Sequence, residues 1–348
     1  MSTYLESFAP SHALTKLRTL EPMAADATRA AAIASVQFAG RGDDKAADGA
    51  ATEAMRAVLS HLPGTGTVVI GEGEKDEAPM LFNGERVGDG STDPAIDIAV
   101  DPLECTDFCA AGLPGALTTI AFAEGGTMWS PGPGFYMDKL VVGPEARGRS
   151  TSTTRRSARS PAWPRRSGSR SRSCGCSCSR RSATKSSSKS CAGLAWPSPR
   201  RATVTSGALA ALLADGDADL LMGIGGTPEG VMTACAVRAL GGGMKGRLAP
   251  QSDEESKALA DAGMDTKRAL DVSDIVGGQA IFAATGVTGG ALVRQPWDSD
   301  GQTMTETLLI APGKVQRIVE AIVGQEWSPP PTGRVPTILR ELVGAGPS

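Results

Sequence analysis

Four short acidic motifs carry the chemistry available to this chain. They are "KAADGAA" with Asp48, "GEGEKDEAP" with Glu72, "DPLECT" with Asp101, Glu104 and Thr106, and "GIGGTPEG" with Glu229. Each stands at the end of a predicted strand or helix beside Gly, Ala or Pro. Hard divalent cations such as Mg²⁺ and Mn²⁺ take several oxygen ligands, and a phosphate completes the shell while the cation neutralises charge and activates water. In "DPLECT" the spacing predicts that Asp101 closes a strand, Pro102 fixes the turn and Glu104 points back toward the same ion. The amides from Cys105 onward would then open a helix whose N-terminus receives a phosphate, with the Thr106 hydroxyl beside it. Plainer roles stay open for every motif. Asp101 could cap a helix and Glu104 favour its dipole, Asp48 could be a helix cap, Glu72 could lie in a solvated turn with Glu74, Asp76 and Glu77, and Glu229 could be a first-turn acid.

The elements that would position these acids follow from periodicity and breakers. Residues 23 to 40 read as an Ala-rich helix ending at Gly40, and residues 47 to 62 as a second helix with Ala51, Met55, Val58 and Leu59 on one face. Strands are predicted at Thr67 to Ile70, Ile96 to Val100 and Thr118 to Phe122, with another in "MDKLVVGPEA". Past residue 206, "DADLLMGIGGTPEGVMTACAVRALGGG" reads as strand, glycine turn and helix, and "IFAATGVTGGALV" and "TETLLIAP" add two strands. The proline-rich "WSPPPTGRVP" marks a tail, with a short helix at 336 to 343.

Composition narrows the classes. A chain of 348 residues, 41% hydrophobic, is long enough for packed cores, and neither a signal-like apolar run nor a membrane-length one is present, so a cytoplasmic protein without a membrane partner is expected. Only His12 and His61 are available, which argues against a histidine-based zinc site or catalytic triad. The seven cysteines lack a disulfide framework's spacing and read as free thiols. The formal charge of −3 conceals a split: residues 147 to 201 hold 13 Arg and 2 Lys with no acid, leaving 20 basic against 38 acidic residues elsewhere. That Ser/Arg-rich stretch has neither strand nor helix period and should build no core.

Taken together, "GRGDDKAADGAA", "VVIGEGEKDEAPML", "VGDG", "DIAVDPLE", "YMDKLVVGPEA", "GIGGTPEGV" and "IFAATGVT" resemble the class II fructose-1,6-bisphosphatase family, the bacterial GlpX type, from about Ile33 to Gly143 and from about Gly207 to Val323. The resemblance implies an α/β fold, the layered αβαβα sugar-phosphatase architecture shared with inositol monophosphatases. It also implies Mn²⁺- or Mg²⁺-dependent removal of the 1-phosphate of fructose 1,6-bisphosphate in gluconeogenesis, with sedoheptulose 1,7-bisphosphate as a further substrate. The metal ligands it implies are Asp48, Glu72, Asp101, Glu104 and Glu229. Glu104, Cys105 and Thr106 would meet the phosphate, with Glu104 and Thr106 catalytic, and Tyr136 and Gly226 match sugar-phosphate contacts. The partner expected is a small sugar bisphosphate, in a homo-oligomer.

Two departures stand out. The family has Gly where this chain has Cys105, and a Cβ there would crowd an approaching phosphate. The family's central substrate loop and its "SDGDV" motif are replaced by the Arg/Ser stretch. Back-translated one base earlier, Arg201 to Ser206 spells Ser-Asp-Gly-Asp-Val with suitable third bases, so residues from about 148 to 206 read as a frameshifted translation. The organisation expected is a metal-binding phosphatase domain at 1–146, the anomalous segment at 147–206, a C-terminal α/β domain at 207–324 and a tail at 325–348. Alternatives are a catalytically impaired relative, an inositol-phosphatase-like enzyme, and nucleic-acid binding by the basic segment, although a frameshift explains that segment more economically.

Overall fold

A computed structural model describes residues 16–71, 81–147, 203–216 and 218–322. Glu72, the Arg/Ser stretch through residue 202 and the tail from residue 323, with its expected helix at 336 to 343, lie outside the described residues.

Two Ala-rich helices open the chain, α1 (Glu21–Val36) and α2 (Asp44–Leu59). Small side chains at Ala24, Ala27, Ala31 and Ala32 of α1, and at Ala47 and Ala51 of α2, are buried and let the pair lie close. The second helix begins earlier than its apolar pattern predicts, because Asp43 accepts the Ala46 N–H at 2.9 Å and is the cap. Asp48 therefore sits inside the helix, and a capping role for it is excluded.

The helices cover one face of an eight-stranded mixed sheet in the order β10-β11-β9-β4-β3-β1-β2, with β12 on the outer side of β11. Its strands are β1 (Thr65–Ile70), β2 (Arg86–Val87), β3 (Ala95–Glu104), β4 (Leu117–Glu124), β9 (Ala280–Gly286), β10 (Trp297–Ser299), β11 (Gln302–Ala311) and β12 (Lys314–Ile322). Only β1 and β3 run parallel. Strand β3 is buried on both faces, which explains its nearly unbroken apolar run. Ile96, Ile98 and Val100 point into the core under α1 and α2, and Ala99 points into the opposite core. By the same period of two, Asp97 and Asp101 share the Ala99 face.

A second, antiparallel sheet has the order β6-β5-β7-β8, from β5 (Tyr136–Val142), β6 (Leu220–Gly226), β7 (Gly243–Leu248) and β8 (Leu270–Asp271). Between the sheets lies the apolar helix α5 (Thr227–Leu240), whose Val231, Met232, Cys235 and Val237 join the inter-sheet core with α4 (Val204–Leu212). The short α3 (Thr106–Ala110) follows β3, α6 (Asp253–Asp261) follows β7, and α7 (Val272–Ile275) follows β8. Helix, sheet, helix and sheet are thus stacked in layers, a mixed α/β architecture of the sugar-phosphatase kind. Both sheets draw strands from either side of the Arg/Ser stretch, since β4 pairs with β9 and β5 pairs with β6. Among the described residues no helix is long and apolar enough to cross a membrane.

Candidate active site

The strand carrying Asp101 does not stop there. It runs on to Glu104, with Asp101 opposite Thr119 and Glu104 opposite Leu117, so three steps on β3 match two on β4. This is a bulge, and Pro102, which has no N–H to give a ladder, falls within it. The helix begins only at Thr106. The expected strand end at Asp101 and its capping alternative both fail for this reason. The bulge turns the strand end so that Glu104 reaches the layer between the sheets, and only 2% of it remains exposed.

Its carboxylate is met by the charge of Glu229, which the first turn of α5 presents directly after β6 ends at Gly225 and Gly226. One oxygen of Glu104 accepts the Thr205 N–H at 3.4 Å, while its Oε2 and the Glu229 Oε2 are buried without a donor among the described residues. Burial first and the Glu229 charge second push Glu104 up to about 7, partly opposed by hydrogen bonding from Thr203 and Thr205. A Cβ on Gly226 would lie 1.9 Å from Glu229 Oε2, so only glycine leaves room for that carboxylate.

Cys105 links β3 to α3 in the left-handed conformation, φ 63° and ψ 56°. Non-glycine residues adopt this region at a cost, which gives a backbone reason for the glycine expected here. Burial, followed by the charges of Glu104, Asp101, Asp107 and Glu229, drives its thiol far above the ordinary range. Both causes oppose a thiolate nucleophile here. The charges of Glu104, Asp101, Asp107 and Glu229 all act on this one residue. Thr106 donates its hydroxyl to the Leu103 carbonyl at 3.0 Å, which leaves the oxygen lone pairs as acceptors.

Asp48 is only partly buried, and its carboxyl is raised by burial and then by Asp44 one turn earlier. Among the described residues no three carboxylate, thiol or imidazole side chains lie close enough to share one cation. Tyr136 and Gly226 are brought together as direct partners across the β5–β6 ladder.

Lys139 was not anticipated. It stands in the middle of β5, is 2% exposed, and donates its ammonium to the Gly226 carbonyl. Burial lowers it to about 8 against the pull of Glu229, Glu104 and Asp138. Its sequence signal was a single lysine inside "MDKLVV", where an apolar strand would gain nothing from a charge. Thr203 and Thr205 also went unmarked, because they fall at the end of the anomalous segment at 147–206, just past the Arg/Ser run whose composition indicates no structure. Thr203 nonetheless caps α4 by accepting the Ser206 N–H at 3.0 Å.

Comparison with known proteins follows this geometry. The family model described as bacterial fructose-1,6-bisphosphatase, glpX-encoded, matches residues 18–156 and 203–323. The chain is 36% identical over 303 residues to fructose-1,6-bisphosphatase 1 class 2 of Escherichia coli strain K12, covering 81% of this chain and 88% of that protein. Identity and coverage are the same for the class 2 fructose-1,6-bisphosphatase of Shigella flexneri. The matched regions include Asp48, Asp101, Glu104, Tyr136, Gly226 and Glu229 and omit most of the Arg/Ser stretch.

Proposed function

Because the chain belongs to the bacterial, glpX-encoded fructose-1,6-bisphosphatase family, we propose that Glu104 and Glu229, each with a buried carboxylate oxygen, form the core of a cation-assisted phosphatase site. The chain is a phosphoric monoester hydrolase acting on fructose 1,6-bisphosphate, and metal dependence is general to the family. The finer reading is that the 1-phosphate is removed, leaving fructose 6-phosphate, with Mn²⁺ or Mg²⁺ as the cation. We place the enzyme in the cytoplasm as a homo-oligomer.

One observation carries this reading: two carboxylate oxygens, on Glu104 and Glu229, are buried with no donor among the described residues. Such atoms are costly unless something satisfies them, and hard cations prefer carboxylate oxygen. Paired carboxylate oxygens are the right donor type for such a group. Glu104 and Glu229 would hold it, with Asp48, Glu72 and Asp101 as the remaining candidates. When bound, a divalent cation neutralises charge on the phosphoryl oxygens and makes water a better nucleophile at neutral pH.

The chain's own residues supply the rest. Thr106, its proton committed to Leu103, offers a lone pair that accepts a hydrogen from the attacking water and aims the water oxygen at phosphorus. The oxygen–phosphorus bond forms as the bond to the sugar oxygen breaks, and a proton passes to that leaving oxygen. Lys139 fixes the Gly226 carbonyl, and Tyr136 opposite it presents the sugar side of the site. The test is release of inorganic phosphate from fructose 1,6-bisphosphate by the full chain, with Mn²⁺ or Mg²⁺ and with chelator. Release only with added cation is expected, and a folded preparation that releases none under either condition refutes the catalytic reading for this chain.

A further inference from the structure

We infer that Glu255 is a positioning residue for Tyr136, holding the substrate-side loop of β5 to the rim of the site. The inference rests on the reading of Tyr136 given above and adds what sets that residue's place. Glu255 belongs to α6, whose cap is Ser252; the Ser252 hydroxyl accepts the Glu255 N–H at 3.0 Å. A serine followed three residues later by glutamate usually closes a reciprocal box, with the glutamate returning to the cap residue's own N–H. Here the carboxylate is diverted. Its Oε2 accepts the Gln251 N–H at 2.8 Å, and its Oε1 leaves the helix to accept the N–H of Phe135 at 2.8 Å and of Tyr136 at 3.1 Å.

Glu255 is 5% exposed, so this acceptor is a fixed feature of the interior. The carbonyls of the same two residues are also held, Phe135 by the Thr227 N–H and Tyr136 by the Ala249 N–H, each at 2.9 Å. Thr227 begins the helix that carries Glu229. The backbone at 135–136 is therefore tied to the start of α5 on one side and to α6 on the other, while the Phe135 ring stays 66% exposed. A main chain clamped at four points next to an uncovered aromatic side chain is fixed for presentation, since packing of that side chain does not hold it. Fixing such a segment before binding removes an ordering cost from substrate affinity.

E255D tests this in the full chain, because it keeps the charge and the helix-start acid but withdraws the carboxylate by one methylene. Affinity is read as KM for fructose 1,6-bisphosphate and, independently of turnover, as calorimetric Kd for fructose 6-phosphate. E255D is expected to raise both about tenfold with kcat within about threefold, and E255D/Y136F to be no weaker than Y136F. E255Q, which retains an acceptor toward both amides, is expected to stay near the parent value. A folded E255D with unchanged KM and Kd, when Y136F raises them, overturns the inference and leaves Tyr136 standing. An unaffected Y136F, or a parent chain that binds no sugar phosphate, overturns the Tyr136 reading and the inference with it. Should E255D not fold, hydrogen exchange on E255Q decides. Faster exchange at Gln251 alone with parent KM is expected, and a raised KM with Phe135 and Tyr136 still protected is the contrary result.

Discussion

Glu104 is buried beside a like charge, that of the partly buried Glu229, although one closes a strand of the large sheet and the other opens a helix of the layer above it. Two elements distant in sequence thus agree on a point that is unfavourable without a counter-charge. Glu104 rises to about 7 from its ordinary 4.5, so the folded chain holds a proton that the unfolded chain releases. Stability from this group is whole below about pH 4.5, is lost as pH climbs to about 7, and is flat above; the loss amounts to roughly 3 kcal/mol. In chelator, the Tm difference between parent and E104Q is expected to grow from pH 5 to pH 8, in favour of E104Q. Millimolar Mn²⁺ should shrink that gap, because the cation selects ionised carboxylates. A gap independent of pH would contradict the assignment.

Lys139 is the cation already present in that layer. Replacing it by methionine removes the donor to Gly226 and leaves the two carboxylates without a positive neighbour. We expect K139M to lose about 3–5 kcal/mol in chelator by denaturant unfolding, with part of the loss restored by Mn²⁺ or Mg²⁺. Equal loss in both conditions would show that Lys139 matters through packing of its stem.

Cys105 holds a left-handed backbone that glycine adopts freely. C105G should stabilise the fold by about 0.5–1 kcal/mol, the relief of left-handed strain exceeding the added freedom of the unfolded chain. C105A, which keeps the Cβ, should give no such gain. Phosphate release by C105G should be no lower than that of the parent. Within the native fold Cys105 should resist alkylation at pH 8, together with Cys109, which burial pushes up to about 11; peptide mass mapping reads both.

The frame of the gene is directly testable. We propose that residues from about 148 to 206 are translated out of frame, and the family match breaks off after 156 and resumes at 203, close to those limits. Repeated sequencing should find a base change on each side, and the repaired chain should gain affinity for the sugar bisphosphate. Independent reads giving an uninterrupted frame for the Arg/Ser stretch would defeat this.

Much of this arrangement was legible in the residues. The strand at Ile96 and the Ala-rich helices follow from periods and breakers that local sterics impose, whereas the glycine turn expected before Glu229 is replaced by strand, since Gly225 and Gly226 end β6 and the helix follows at once. What escaped was non-local. Asp101 and Pro102 resemble a helix start because a bulge needs a partner strand, Leu117 to Thr119, to be visible. Asp43 displaced Asp48 as cap because cap choice depends on which oxygen reaches an N–H. Lys139 and Glu255 read as ordinary charges, since only the tertiary fold shows that one is enclosed and the other diverted from its own helix. Glu104 and Glu229 were legible as candidate ligands, but the burial of Glu104 beside the charge of Glu229 was not.

The pairing of β4 with β9 places Thr118 opposite Thr285, 167 residues later. During synthesis at about 5–20 residues per second, β4 therefore waits on the order of ten to thirty seconds for its neighbour. In that interval one edge of an apolar strand stands open while β5 and then the Arg/Ser stretch are made. For most of it Glu229 does not yet exist, so the nascent chain presents an open strand edge, a template for wrong pairing, before its candidate site is complete.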